Sequence, residues 1–196
     1  MARTSRQLVT GETYHLTARG TDRRDIFMDD EDRQRFLVRL GAVVTKRSLS
    51  CLSYCLMGNH VHLIVRGGAN AVSAGMRDLL GGHAQFFNRR HERSGHLFGG
   101  RYHHVHIVSD HQLSAAIRYV ALNPVRAGLT WQPESWPWSS YGALMEGVVH
   151  PGTIDLRALG SAMPTGDTSL ASIRRELVAL VEAGLTEART TARSAA

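Results

Sequence analysis

The stretch that decides the fold is "LSCLSYCLMGNHVHLIV", residues 49 to 65. Two apolar, turn-bounded runs flank a Gly58-Asn59 pair, which predicts a β-hairpin with strands over 49–57 and 60–65. The return strand carries His60 and His62. In a strand, residues i and i+2 share a face and lie about 6.6 Å apart along the chain. The two imidazoles therefore point the same way and Val61 points the other way. Two readings are open: a hydrogen-bonded or exposed histidine pair, or two ligands of one divalent metal that needs a third from elsewhere. A zinc site joining them to Cys51 and Cys55 is disfavoured, because C-x3-C and H-x-H with only four residues between them match no zinc knuckle. The two cysteines read as strand packing.

Working outward, "TYHLTAR" (13 to 19) alternates as a strand. Asp29 or Asp30 can cap a helix of about 15 residues, in which Phe36, Leu37, Leu40, Val43 and Val44 recur at helical spacing. After the hairpin, helical periodicity runs from Ala71 to about Arg90. Gly75, Gly81 and Gly82 interrupt it, so this helix is expected to break or to pack closely on a neighbour. "RYHHVHIV" (101 to 108) alternates as a strand, and a helix capped by Ser109 or Asp110 runs to about Leu122 before Pro124. The order is that of a split βαβ sandwich: an α+β, ferredoxin-like βαββαβ fold with an antiparallel sheet. Beyond residue 128, "WQPESWPWSSYGAL" reads as an irregular aromatic wrap with packing tryptophans, and 149–168 as loop. Leu170, Ile173, Leu177, Leu180 and Val181 mark a helix from Ser169 to about Arg189, and the tail "TTARSAA" reads as disordered.

The chain's 196 residues suffice for a domain with a substantial core. Twenty-three basic against 17 acidic residues give a formal charge of +6. That balance suits nucleic acid or another polyanion, with plain solubility as the alternative. Two cysteines cannot build a disulfide framework, and neither a secretory signal nor a membrane span is visible, so the expected compartment is the cytoplasm.

"AIRYVALNPVRAG" (116 to 128) offers partners for the histidines. Tyr119 and Asn123 are four apart and share a helix face on the flank of the stripe Leu113, Ile117 and Val120. Asn123 precedes proline, so it reads either as a full helix member or as the helix's end. Tyr119 reads either as a packing tyrosine or as a nucleophile. A phenol beside a divalent ion in a basic chain suggests attack on a phosphodiester.

With these residues in view, the chain resembles the REP-associated tyrosine transposases, within the single-tyrosine HUH class. The similarity runs through "YHLTARGTDRRDIF" (14 to 27), "LMGNHVHLIV" (56 to 65), "FFNRRHERSGHLFGGRY" (86 to 102), "RYVALNPVRAGL" (118 to 129) and "WPWSSY" (136 to 141). The resemblance implies a HUH nuclease domain over residues 1–145, with 146–196 as a helical extension. It implies cleavage and rejoining of single-stranded or hairpin DNA, of REP-palindrome type, through a 5′-phosphotyrosine. Tyr119 matches the nucleophile, and His60 and His62 match the metal pair for Mg2+ or Mn2+. Asn123 stands in the place of the amide ligand. Relatives are commonly homodimers, and the expected setting is the nucleoid, with no membrane partner. The family often has proline where this chain has Gly58, which alters the turn and not the ligands. Arg19, Arg23 and Arg24, and Arg89, Arg90, Arg93 and Arg101 with nearby aromatics, are the DNA-contact candidates. The alternative is a hairpin-binding protein without catalysis.

Overall fold

A computed structural model describes residues 11–194, with side chains to Leu185; residues 1–10 and 195–196 lie outside it. The strands are β1 (Glu12–Arg19), β2 (Ser50–Leu56), β3 (His60–Gly67) and β4 (His103–Ile107). The helices are α1 (Asp30–Lys46), α2 (Ala69–Arg90), α3 (Asp110–Arg126), α4 (Ser140–Glu146), α5 (Leu156–Ser161) and α6 (Leu170–Ser194). All strand pairs are antiparallel, in the order β2-β3-β1-β4. This is the expected α+β sheet with its βαββαβ connection.

Register sorts the faces. Thr17 lies opposite His62 and Arg19 opposite His60, so His15, Thr17, Arg19, His60 and His62 share one side. Tyr14, Leu16, Val61, Leu63 and Val65 point to the other side, and all are buried. Helix α3 lies on the histidine side, where Asn123 meets His62, and packs on α6. Helices α1 and α2 pack on each other and cover the opposite side. The N-cap of α1 is Asp29, whose side chain accepts from the Asp32 amide.

Helix α2 is unbroken. A Cβ on Gly75 would come within 2.9 Å of Leu49 Cδ1 and 3.3 Å of Val43 Cγ1, so the glycine permits close approach of α1. Pro124 does not end α3, as the sequence suggested. The helix runs on to Arg126, with Ala127 donating to the Asn123 carbonyl at 3.0 Å and Leu129 to that of Pro124 at 2.9 Å. The proline removes one ladder bond, but it and its neighbours from Val120 to Val125 are buried, and that packing carries the helix through.

The aromatic segment and the loop after it are also more regular than expected. Helix α4 starts at Ser139, whose side chain accepts from Gly142, and ends at Gly147 in the left-handed region. Ser140 Oγ bonds Ser53 Oγ at 2.9 Å and the Tyr54 amide at 3.0 Å, tying α4 to the outer edge of β2. Trp136 Nε1 donates to the Leu56 carbonyl at 3.1 Å, whereas Trp131 is 80% exposed rather than buried as a packing tryptophan would be. Helix α5 lies within the expected loop. Ile173, Leu177 and Val181 of α6 join the same hydrophobic core as the sheet. The backbone of α6 continues to Ser194, past the expected end near Arg189, so the tail read as disordered is helical up to that point.

His83 is buried among Phe27, Phe36 and Phe87 and donates Nε2–H to the Ile26 carbonyl at 2.7 Å. Burial lowers its pKa below the ordinary 6.5, although the bond to Ile26 works the other way. Protonation therefore favours the unfolded chain. Stability is full above about pH 6.5 and declines as pH falls below it, by up to roughly 1.4 kcal/mol per pH unit for this one group. Replacing His83 with Gln is expected to shallow the acid limb of a urea-denaturation series by that slope; an unaltered limb would show that His83 does not contribute.

Candidate active site

His62 sits at the centre of the histidine side and is only 5% exposed. Its Nδ1 lies 2.9 Å from His15 Nε2 and 3.1 Å from Thr17 Oγ1. Its Nε2 faces the amide of Asn123, with Nδ2 at 3.3 Å. Assigning the proton to Nδ1 satisfies both sets of contacts and leaves the Nε2 lone pair aimed at Asn123. Burial, then the neighbouring His15, His60 and Arg19, hold its pKa down to about 3, so the ring is neutral at physiological pH. His15 is lowered in the same direction by burial and by His103.

His60 stands at the hairpin turn, where its Nδ1 meets Asn59 Oδ1 at 2.6 Å. Burial and Arg19 lower its pKa, while a hydrogen bond with Asn123 raises it. Asn123 thus reaches both histidines. The turn is locked from outside: Gly20 donates to the Asn59 carbonyl and Ile26 to that of Gly58, each at 2.9 Å. A Cβ at Gly58 would lie 2.9 Å from Asp25 Oδ1, the mobile end of a side chain that can turn aside.

Tyr119 lies one helical turn before Asn123 on the same face of α3, and is 40% exposed. Its ring stands edge-on to His62 at 5.5 Å and to His15 at 5.9 Å, with the Arg126 guanidinium 5.1 Å above it. The structure therefore brings together the four residues singled out from the sequence: His60, His62, Tyr119 and Asn123. It adds His15, Thr17, Asn59 and Arg126, which sequence reading missed. The alternation "HLTAR" marked 15, 17 and 19 as one face, but only the β1–β3 register reveals that this face is the histidine one.

The donor set suits a divalent cation. Two neutral imidazoles each keep one ring nitrogen for a metal while the other is held by an outer partner, Asn59 or Thr17 and His15. A half-turn of the Asn123 amide presents Oδ1 in place of Nδ2. Imidazole and amide oxygen are donors that Mn2+ and Mg2+ accept, with room for water or phosphate oxygens. Among the described residues no three His, Cys, Asp or Glu side chains form a metal cluster, and the Asn123 amide is the further donor beside the two imidazoles. Cys51 and Cys55 take no part. Both thiols are fully buried, and burial pushes Cys51 up to about 12 and Cys55 in the same direction.

The arginine candidates separate. Arg19 flanks His60 by register, and Arg23 and Arg24 lie exposed in the turn beyond β1. Arg101 lines a cavity with Thr21, Phe98 and Gly99, and Arg93 lies over the Phe87 ring at 5.6 Å. Arg89 opens onto the groove between α1 and α2. Arg90 is bound to Asp29 at 2.7 Å, Glu31 at 3.0 Å and buried Asp32 at 2.9 Å, where it joins the end of α2 to the start of α1.

A four-stranded antiparallel sheet thus carries paired histidines on a central strand, facing a tyrosine on a helix that crosses that side. The chain belongs to the IS200-like transposase family, whose model matches residues 8–123. Its fold is similar to a solved REP-associated tyrosine transposase bound to a REP hairpin, with a TM-score of 0.62 at 18% identity over 79% of this chain and 92% of that one. A crystal structure from Deinococcus radiodurans R1, provisionally assigned as a transposase, matches with a TM-score of 0.43 at 20% identity over 61% of this chain and 95% of that one. No curated protein shows significant sequence similarity. Among the described residues no helix is long and apolar enough to cross a membrane.

Proposed function

We propose that the protein is a metal-dependent tyrosine endonuclease and strand transferase acting on single-stranded or hairpin DNA, with REP-type palindromes as the target class. The observation that carries this reading is the convergence of Tyr119, His60, His62 and Asn123 on one side of the sheet. The Tyr119 oxygen gives up its proton and attacks phosphorus, forming a phosphotyrosine bond to the 5′ end of the downstream segment. The bond from phosphorus to the 3′ oxygen breaks, and that oxygen leaves as a 3′-hydroxyl once protonated. Attack by a 3′-hydroxyl on the phosphotyrosine reverses the exchange, rejoins DNA and frees Tyr119. When bound by His60, His62 and Asn123, Mg2+ or Mn2+ supplies Lewis-acid polarisation of the scissile phosphate. Arg126 and the His15 and His62 rings hold the phenol in place, and Arg19 adds positive charge beside His60. Residues 1–145 form the catalytic domain in this reading and 146–196 its extension, the setting is the cytoplasmic nucleoid, and assembly is as a homodimer.

The test is a hairpin oligonucleotide labelled 5′ or 3′ of its flanking single strand, incubated with Mg2+ or Mn2+. Label from the 3′ segment alone is expected to become covalently attached to protein. Tight hairpin binding without any attachment would overturn the enzyme reading in favour of a binding protein. Thr17→Val, which removes one outer partner of His62, is expected to weaken Mn2+ affinity about tenfold by calorimetric titration. Unchanged affinity would mean that Thr17 does not orient the ring.

A further inference from the structure

The groove between α1 and α2, on the sheet side away from the histidines, concentrates positive charge. It is lined by Arg35, Arg39, Lys46, Arg47, Arg77 and Arg89, against the single carboxylate of Asp78, in a chain whose formal surplus is +6. Two cavities of about 430 and 610 Å³ share Arg39, Ala42, Gly82 and Gln85 and so form one trough. Asp78 is taken up by Arg47. Arg35, Arg39, Arg77 and Arg89 are exposed and have no ion-pair partner among the described residues. Gathering unpaired cations on adjoining helices is unfavourable through repulsion, and an anionic ligand relieves it. Gly82 contributes directly, because a Cβ there would overlap the Arg39 guanidinium that lies across α2.

The shape of the charge favours one polyanion. At a rise of about 1.5 Å per residue, the row from Arg35 to Lys46 extends roughly 16 Å. That matches about five phosphates of one strand measured along a duplex axis. Single strands are held by open aromatic rings on which bases stack. The trough's aromatic rings are His83, which is buried and offers no open face, and Phe86, over which the Arg35 guanidinium lies at 5.4 Å. Contacts here are therefore to backbone phosphates alone, which suits double-stranded DNA, whose bases are hidden. We infer that the α1–α2 trough binds the phosphate backbone of duplex DNA without reading its sequence, on the side of the sheet opposite the catalytic residues. The inference rests on the proposed function only in taking DNA as the polyanion. It assigns the protein two DNA-contacting sides: one for the strand that is cut and one for the adjoining duplex.

The test is a fluorescence-anisotropy titration of a blunt-ended duplex over a range of salt concentrations, without divalent metal. The triple variant Arg35→Gln, Arg39→Gln, Arg77→Gln is expected to lower the slope of log K against log salt by about 3. It is also expected to weaken duplex binding at low salt by roughly tenfold or more. The matching triple Lys variant keeps the charges and is expected to retain the wild-type slope, which separates lost phosphate contacts from lost folding. A wild-type slope in the Gln variant would overturn the inference. So would an equal loss of affinity for a single-stranded oligothymidylate of the same length, which would reassign the trough to single strands. No cleavage is read, so a failure of the tyrosine chemistry leaves this result standing.

Discussion

Replacing Tyr119 with Phe is expected to abolish covalent attachment of DNA and to reduce strand cleavage by roughly 10⁴-fold or more. The change removes one oxygen and keeps the ring that stands against His62 and His15 beneath Arg126. Nothing in the packing of α3 depends on that oxygen, because Tyr119 is 40% exposed while the helix is anchored by Leu113, Ile117 and Val120. Hairpin affinity should therefore stay within about threefold, since binding and the nucleophile are separable contributions. Denaturing gels read the adduct, and anisotropy reads affinity. Undiminished nicking by the Phe variant would remove Tyr119 from the chemistry.

Replacing His60 and His62 together with Ala is expected to lower cleavage by roughly 10³-fold or more and to erase its response to Mg2+ and Mn2+. The two positions are not equivalent. His62 is buried with neighbours at both ring nitrogens, so its loss empties a packed site, whereas His60 lies half-buried at the turn, between Asn59 and Asn123. A thermal melt of each single variant separates the two effects: His62→Ala should lower the midpoint, and His60→Ala should leave it nearly unchanged. Cleavage by the double variant that still rises with Mn2+ would show that the pair is not the metal clamp.

What the sequence made legible was local. The H-x-H face follows from the two-residue period of a strand, and Tyr119 with Asn123 from the helical i, i+4 relation. Both required only neighbours in the chain. The reading of Pro124 as a stop weighed its missing amide correctly but had no access to the burial of residues 120–125 that carries α3 to Arg126. That continuation keeps Asn123 on the same face as Tyr119. Helices α4 and α5 are short, and the prolines of the tryptophan segment obscured the capping signals of α4, Ser139 within that segment and Gly147 just beyond it. Arg90 looked like its neighbours Arg89 and Arg93 because its carboxylate partners lie some sixty residues earlier in the chain. His15 and Thr17 are missed for the same reason: pairing of β1 with β3 is a long-range register. The resemblance to REP-associated tyrosine transposases carried the order of the blocks, and the family match and shared fold agree with it.

The central claim is that Tyr119 bonds to DNA at the side formed by His60, His62 and Asn123. The most direct measurement is mass-spectrometric mapping of the peptide that stays linked to a cleaved hairpin oligonucleotide in the presence of Mn2+. The account predicts a 5′-phosphonucleotide on Tyr119, in the peptide between Arg118 and Arg126. A linkage at Tyr102, Tyr141 or any other residue, or cleavage with no linked peptide at all, would contradict it.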